Sequence, residues 1–245
     1  MDYSVYIFSI KEKLILFIQW LTICGILAFF FYRSLIAFVI LMLFYPFFIR
    51  WRREAFKKKR RWELTLGFKE VVETVAGNLQ AGNSVENAFR HAYGDLRTLY
   101  GEDADIIKEL QVIGRGLDSN LVLEGLLLDL GKRSEVSDIM DFADIFAAAK
   151  RTGGNLKEII SDTAQTISEK IDMKRELRIL ISEKQFEQKI MSVIPFFILA
   201  YIGLTSPGYF DSLYGNLSGI AIMSGCLAAY VAAIIWGMKI TAIEI

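Results

Sequence analysis

Four stretches of this chain carry no charge at all, and they decide what it can fold into. They are 14–32 (LILFIQWLTICGILAFFFY), 34–49 (SLIAFVILMLFYPFFI), 190–206 (IMSVIPFFILAYIGLTS) and 218–238 (SGIAIMSGCLAAYVAAIIWGM). A helix rises about 1.5 Å per residue and a bilayer core is about 30 Å thick, so roughly 17 to 25 apolar residues cross it. The first and fourth stretches are long enough. The second and third sit near the lower limit, where a buried core helix is the alternative. The first stretch lacks a small-residue cleavage site and runs straight into the second, which reads as an anchor rather than a cleaved leader. The expectation is a membrane protein with about four spans.

The zero net charge conceals a segregation of charge. Residues 50–61, RWRREAFKKKRR, hold eight basic residues and one acidic. From Glu63 to Lys189 there are 16 basic and 23 acidic residues, a net of −7. Basic clusters beside spans stay on the cytoplasmic side. The collar at 50–61, Lys11, Lys13 and Lys239 all agree on one topology, with both termini and the large polar segment inside. The loop 207–217 has one Asp and no Lys or Arg, as an outside loop should. Trp20, Trp51, Tyr32, Tyr209, Tyr214 and Trp236 are candidates for interfacial belts, although Trp20 lies deep for that role. The organisation expected is a cytoplasmic segment 1–13, a transmembrane hairpin 14–49, a basic collar 50–62, a helical domain 63–189, a second hairpin 190–238 and a cytoplasmic tail 239–245. Placed directly after a span, the collar is explained by stop-transfer and contact with anionic lipid at Arg50–Arg61. Nucleic acid is not needed to account for it.

The polar segment reads as helix throughout. Residues 63–81 put Leu64, Phe68, Val71, Val72, Val75 and Leu79 at steps of three and four. Gly82 and Asn83 interrupt, and Ser84 caps a second helix that runs to Tyr100, with Glu86 in its first turn. A third covers 103–114, with Ile106, Ile107, Leu110 and Ile113 inward and Gly114 and Gly116 helping to end it. A fourth covers 120–131. Ser137 caps a fifth, with Ile139, Met140, Phe142, Ala143, Phe146 and Ala147 apolar. Gly153 and Gly154 suit a left-handed turn, and Asn155 suits the cap of a sixth helix. That helix carries Leu156, Ile159, Ile160, Thr163, Ile167, Ile171, Leu177, Leu180 and Ile181, and nothing breaks it before Pro195, which is expected to kink the third span. The turns AGNSVENAF (81–89) and GGNLKEII (153–160) resemble each other, so two related hairpins are expected, although common helix punctuation gives the same pattern.

Chemistry is scarce. The one histidine, His91, and the cysteines Cys24 and Cys226 inside apolar runs cannot assemble a catalytic triad or a zinc site. The GGN turn follows a helix rather than a strand and lacks the Lys-Ser/Thr of a phosphate loop. No cofactor or metal is called for, and the chain reads as a non-enzyme. Asp138, Asp141 and Asp144 lie three apart and share a helix face, which is either a solvated acidic face or a site for a partner or divalent cation. A long helix joining a cytoplasmic body to the bilayer suits mechanical or adaptor work. A small transporter subunit would need polar residues within the spans, which hold little beyond Gln19. A membrane-anchored signalling adaptor fits the same composition.

Three stretches carry a family resemblance: LQAGNSVENAF (79–89), AAKRTGGNLKEIISDTAQTISEK (148–170) and TSPGYFDSLYGN (205–216). In this membrane frame the chain resembles the F-domain platform proteins of type II secretion, over about residues 62–240. It is most similar to the single-domain Tad (tight adherence, Flp pilus) branch, of TadB or TadC type. The resemblance implies an all-α fold with about four spans and a six-helix cytoplasmic bundle. It also implies an inner-membrane platform for pilus assembly or protein secretion that engages a cytoplasmic secretion ATPase and extracts pilin or pseudopilin. With one F-domain rather than two, the chain is expected to complete the platform with itself or a second platform protein. The candidate partner contacts are Gly82, Asn83, Asp138, Asp141, Asp144, Lys150, Arg151, Gly153, Gly154 and Asn155.

Overall fold

The computed structural model describes residues 3, 5–6, 8–152, 155–206, 208–210, 213–214 and 216–241. Among the described residues every regular element is a helix, in the order α1 (Ile10–Phe31), α2 (Leu35–Met42), α3 (Tyr45–Gln80), α4 (Val85–Tyr100), α5 (Asp105–Asp118), α6 (Leu123–Ser134), α7 (Ser137–Thr152), α8 (Leu156–Thr205) and α9 (Leu217–Thr241). The chain forms two compact units. One holds Met1–Ile7 and Arg53–Lys174, and the other Phe8–Arg52 and Arg175–Ile245. One boundary between the units falls ahead of α1, and the other two fall within α3 and α8.

The first unit is a helical bundle made from α4 to α7, the second part of α3 and the first part of α8. All six positions that form the apolar stripe of 63–81 are buried, as are Ile106, Ile107, Leu110 and Ile113 of α5. Aromatic rings knit α3 to α7: Phe68 meets Phe142 edge-on at 5.5 Å, and Phe142 lies 6.3 Å from Phe146. Burial of side chains of this size stabilises by about 1.5–3 kcal/mol each. On α8 the buried positions are Ile160, Ala164, Ile167 and Ile171, and the stripe goes no further. Leu177 and Leu180, three and six residues past the end of this unit, are exposed.

Several boundaries differ from the sequence expectation. Helix α5 runs through Gly114 and Gly116 to Asp118. Gly116 serves packing instead, because a Cβ there would stand 2.7 Å from Leu126 Cδ1. Helix α6 begins at Leu123, so Leu121 and Val122 lie in the preceding turn. Ser137 is the first residue of α7 rather than its cap. The Val136 carbonyl accepts the first-turn bond from Met140 N at 3.2 Å, following Glu135 in the left-handed region at φ 52°.

The second unit holds the apolar helices. Three helices, α1, α8 and α9, contain stretches long and apolar enough to cross a membrane, and a fourth is obtained if α2 and α3 count together across a 47° bend. The expected span 34–49 is therefore broken. Pro46 explains the break: its ring clashes with the carbonyl four residues earlier and it has no N–H to donate. The residue four before it, Met42, is the last of α2. Trp20 stacks on Phe48 with centroids 4.9 Å apart, and Phe17 meets Tyr45 edge-on at 5.6 Å. Helix α8 continues through Pro195. Helices α8 and α9 are joined by Tyr230 Oη donating to Ser192 O at 2.5 Å and Gln188 Nε2 donating to Ile234 O at 3.2 Å. Both cysteines are free thiols, Cys24 buried and Cys226 exposed.

Candidate functional site

Side-chain contacts tie the C-terminal ends of α3, α5 and α7 to the N-terminal parts of α4, α6 and α8. Helix α3 closes there with a Schellman turn. Gly82 takes φ +95°, its N–H donates to Leu79 O at 3.1 Å, and Asn83 N donates to Asn78 O at 3.2 Å. A residue with a Cβ is strained at that φ, so glycine is what the turn requires. Ser84 Oγ then accepts from Asn87 N at 3.3 Å and caps α4. At the second turn Asn155 itself is the cap. Its Oδ1 accepts from Glu158 N at 3.4 Å, and its Nδ2 donates to Glu158 Oε2 at 3.0 Å. The two caps are therefore one residue out of step and chemically different. Gly153 and Gly154 lie outside the described residues.

The two turns lie beside each other. Lys157 Nζ donates to Gln80 O at 3.0 Å, and Gln80 Nε2 donates to Ser161 Oγ at 3.1 Å. Lys150 of α7 reaches Glu124 of α6 at 3.1 Å and Glu86 of α4 at 3.7 Å. Arg90 pairs with Asp118 at 2.5 Å, which ties α4 to the end of α5. Arg151 is exposed and donates to Ala147 O of its own helix at 3.3 Å. Gly82, Asn83, Lys150, Arg151 and Asn155 are thus brought to one end of the bundle. Leu121 and Val122, absent from the candidate contacts, also stand exposed on the neighbouring turn, at 55% and 65%. Their periodicity matches the helix that follows, so nothing in the sequence marks them as loop.

The acidic trio does not form a common face. Asp138 is 2% exposed and is neutralised from α8: Lys170 Nζ lies 2.5 Å from Oδ1, and Lys174 Nζ donates to Oδ2 at 3.2 Å. Burial alone would push this carboxyl up, but the two ammonium groups outweigh it and hold the carboxyl below its ordinary range. Asp141 is exposed and lies 3.7 Å from Lys170, and Asp144 is exposed. The solvated acidic face expected from the three-residue spacing is therefore corrected. Asp138 belongs to a structural ion cluster, and only Asp141 and Asp144 are open to a partner. Among the described residues no group of three or more His, Cys, Asp or Glu has metal-binding geometry. His91 is exposed.

The basic collar divides in the same way. Lys57 and Arg61 both pair with Glu135, and Arg60 grips Asp105 through Nε and Nη2 at 2.5 and 2.9 Å. These three tie α3 to α5 and to the end of α6, while Arg50 and Arg53 are exposed.

No curated protein and no solved structure matches the chain significantly. A family model does match: that of the type II secretion system (T2SS), protein F, over residues 71–204. The matched segment begins within α3, takes in α4 to α7 and ends one residue short of the end of α8. It covers more than half of the 245 residues. This membrane protein with an all-helical body belongs to the family of the type II secretion system protein F.

Proposed function

We propose that this chain is the inner-membrane platform of a filament-assembly or secretion machine, of the Tad (Flp) pilus type, and that it works without catalysis of its own. The family match over 71–204 carries the proposal, because it spans the helical body and the helix that continues into an apolar segment. In this reading a cytoplasmic secretion ATPase engages the end of the bundle that carries Gly82, Asn83, Lys150, Arg151 and Asn155. Leu121 and Val122 supply the apolar centre of that contact, and the charges, with Asp141 and Asp144, its rim. Motion passes along α8 toward a pilin or pseudopilin held in the membrane. A second platform protein, or a second copy, completes the assembly.

The orientation follows from charge. Arg50 and Arg53 follow the apolar stretch 34–49 in sequence and suit anionic headgroups of the cytoplasmic leaflet. Tyr3 is buried in the same unit as the acidic helices, which supports a cytoplasmic N-terminus on the side of that unit. The test is co-purification of the full chain from membranes with the co-expressed secretion ATPase. Retention by the wild type, and loss on reversing Lys150 and Arg151 to Glu with folding intact, is the expected result. Equal retention by both would remove this face from the reading, and no retention by either would remove the ATPase.

A further inference from the structure

Arg33 is the single charged residue between positions 14 and 49, and it sits in the turn from α1 to α2. Its backbone takes φ 43°, the left-handed region, which strains a residue with a Cβ. Glycine or asparagine would serve the turn at less cost, so the turn alone does not account for an arginine there.

The side chain is held from one face. Its guanidinium carbon lies 5.1 Å from the centroid of the Tyr214 ring. That ring is fixed in turn, because Tyr214 Oη donates to Phe30 O at 2.8 Å. Tyr32 Oη and Ser224 Oγ, 2.9 Å apart, tie the same end of α1 to α9. Stacking occupies the face of a guanidinium and leaves its N–H groups directed outward in the plane, where they suit phosphate oxygens.

Among the described residues, three apolar clefts share this cation. The largest, about 710 Å³, is lined by Ile36 and Ile40 of α2 and Ile220 of α9, with the hydroxyls of Ser34 and Ser224 in its wall. A second, about 460 Å³, lies within the α1–α2 hairpin against Phe29, Leu35 and Phe38. A third, about 370 Å³, lies between α1 and α8. All belong to the unit of apolar helices, whose surrounding medium is hydrocarbon. A free phosphate would meet the arginine and leave the clefts unfilled. A fatty acid would fill one of them. Two chains joined to one anion match two clefts that share one cation.

We propose that the α1–α2 turn holds one anionic diacyl phospholipid, its phosphate on Arg33 and its chains in the two clefts along α2. Basic pockets between membrane helices hold anionic headgroups in this way. Bound there, the lipid covers Leu35 and Ile36, which are 84% and 74% exposed, and joins the first hairpin to α9. The site is separate from the collar at 50–61, because the apolar stretch 34–49 stands between them in sequence.

The test is photo-crosslinking of the full chain in phosphatidylcholine vesicles that contain a minority of phosphatidylglycerol with a diazirine in one chain. Labelling is expected over residues 29–41, and unlabelled phosphatidylglycerol should compete for it. Arg33→Asn is neutral and tolerates the left-handed region, so the turn should persist while this labelling falls roughly 10-fold or more, the scale of one hydrogen bond to a charged group. Arg33→Lys should keep most of it. If Arg33→Asn does not fold, Ile40→Trp keeps the arginine, fills the larger cleft and should lower the labelling as well. Equal labelling of wild type and Arg33→Asn would overturn the proposal, since lipid that merely surrounds the protein needs no arginine. Equal labelling by phosphatidylcholine with the same diazirine, or competition by inorganic phosphate as strong as by phosphatidylglycerol, would overturn it too. In native membranes a photoreactive side chain placed at Ile40 should capture lipid. Capture of another protein or a second copy in its place would overturn the assignment of the occupant.

Discussion

Replacing Asp138 by Asn tests the ion cluster that the three-residue acidic spacing concealed. Asn keeps the size and one carbonyl of Asp138 but removes its charge, leaving Lys170 and Lys174 facing each other. Removing one partner of a fully buried pair costs about 3–5 kcal/mol. Here the Lys170 and Lys174 side chains remain 45% and 22% exposed, so their ammonium groups can turn to water. The loss then falls toward that of one charge-assisted hydrogen bond, about 2 kcal/mol. For a unit of this size that is a fall in melting temperature of roughly 5–10 °C, readable by calorimetry on the detergent-solubilised chain. The pH dependence identifies the cause. The Asp138 carboxyl is held below its ordinary range, so its contribution is full above the unfolded value near about 3.9 and is lost as pH falls through the folded value. The gap between wild type and Asp138→Asn is therefore expected at pH 7 and should narrow as pH falls below the unfolded value. A variant as stable as wild type at pH 7, or a gap that persists unchanged at pH 3, would refute the ion-cluster account.

Gly82→Ala should cost about 1 kcal/mol in thermal unfolding, because its φ of +95° strains any residue with a Cβ. Gly67→Ala should cost about 1–3 kcal/mol, since the new methyl would stand 2.8 Å from Ile106 Cβ and push α3 from α5. Lys150→Glu with Arg151→Glu should leave the melting temperature within a few degrees and abolish ATPase retention in pull-down. Leu121→Ser with Val122→Ser should weaken the same retention by roughly 10-fold or more without loss of stability, as both side chains are exposed in the free protein.

The helices were legible because their signal is local. The stripe from Leu64 to Leu79 repeats at the period of a helix and can be buried only on one side, and all six positions are buried. The break at Met42 was equally present in the sequence as Pro46, but sixteen uncharged residues suggested one unbroken span. Side-chain partners were not legible, because spacing along one helix says nothing of what the neighbouring helix presents. Asp138 and Asp141 look alike in sequence. Lys170 and Lys174, on another helix, make the first structural and leave the second open. Glu109 did carry a signal: it lies three residues after Ile106 and four before Ile113, an acid on an inward stripe. An acid at such a position is stable only with a buried partner, and Arg133 and Tyr3 are what it found.

The two ends of the bundle differ in how their charges are met, and that difference bears on where a partner binds. Around Tyr3, Arg60, Asp105, Glu109 and Arg133 the charges are matched in short, partly buried contacts between three helices. A partner approaching there would have to break pairs held in a low dielectric, which is costly. At the other end the ion pairs of Lys150 and Arg90 are more exposed, and exposed pairs contribute about 0–1 kcal/mol each. Exchanging them for contacts with a partner costs little. Beside them stand Leu121 and Val122, apolar groups that gain from being covered. The first end is built to hold itself together, and the second leaves its surface available. In the function proposed above, the contact with a partner is therefore expected at the turns rather than at the matched end.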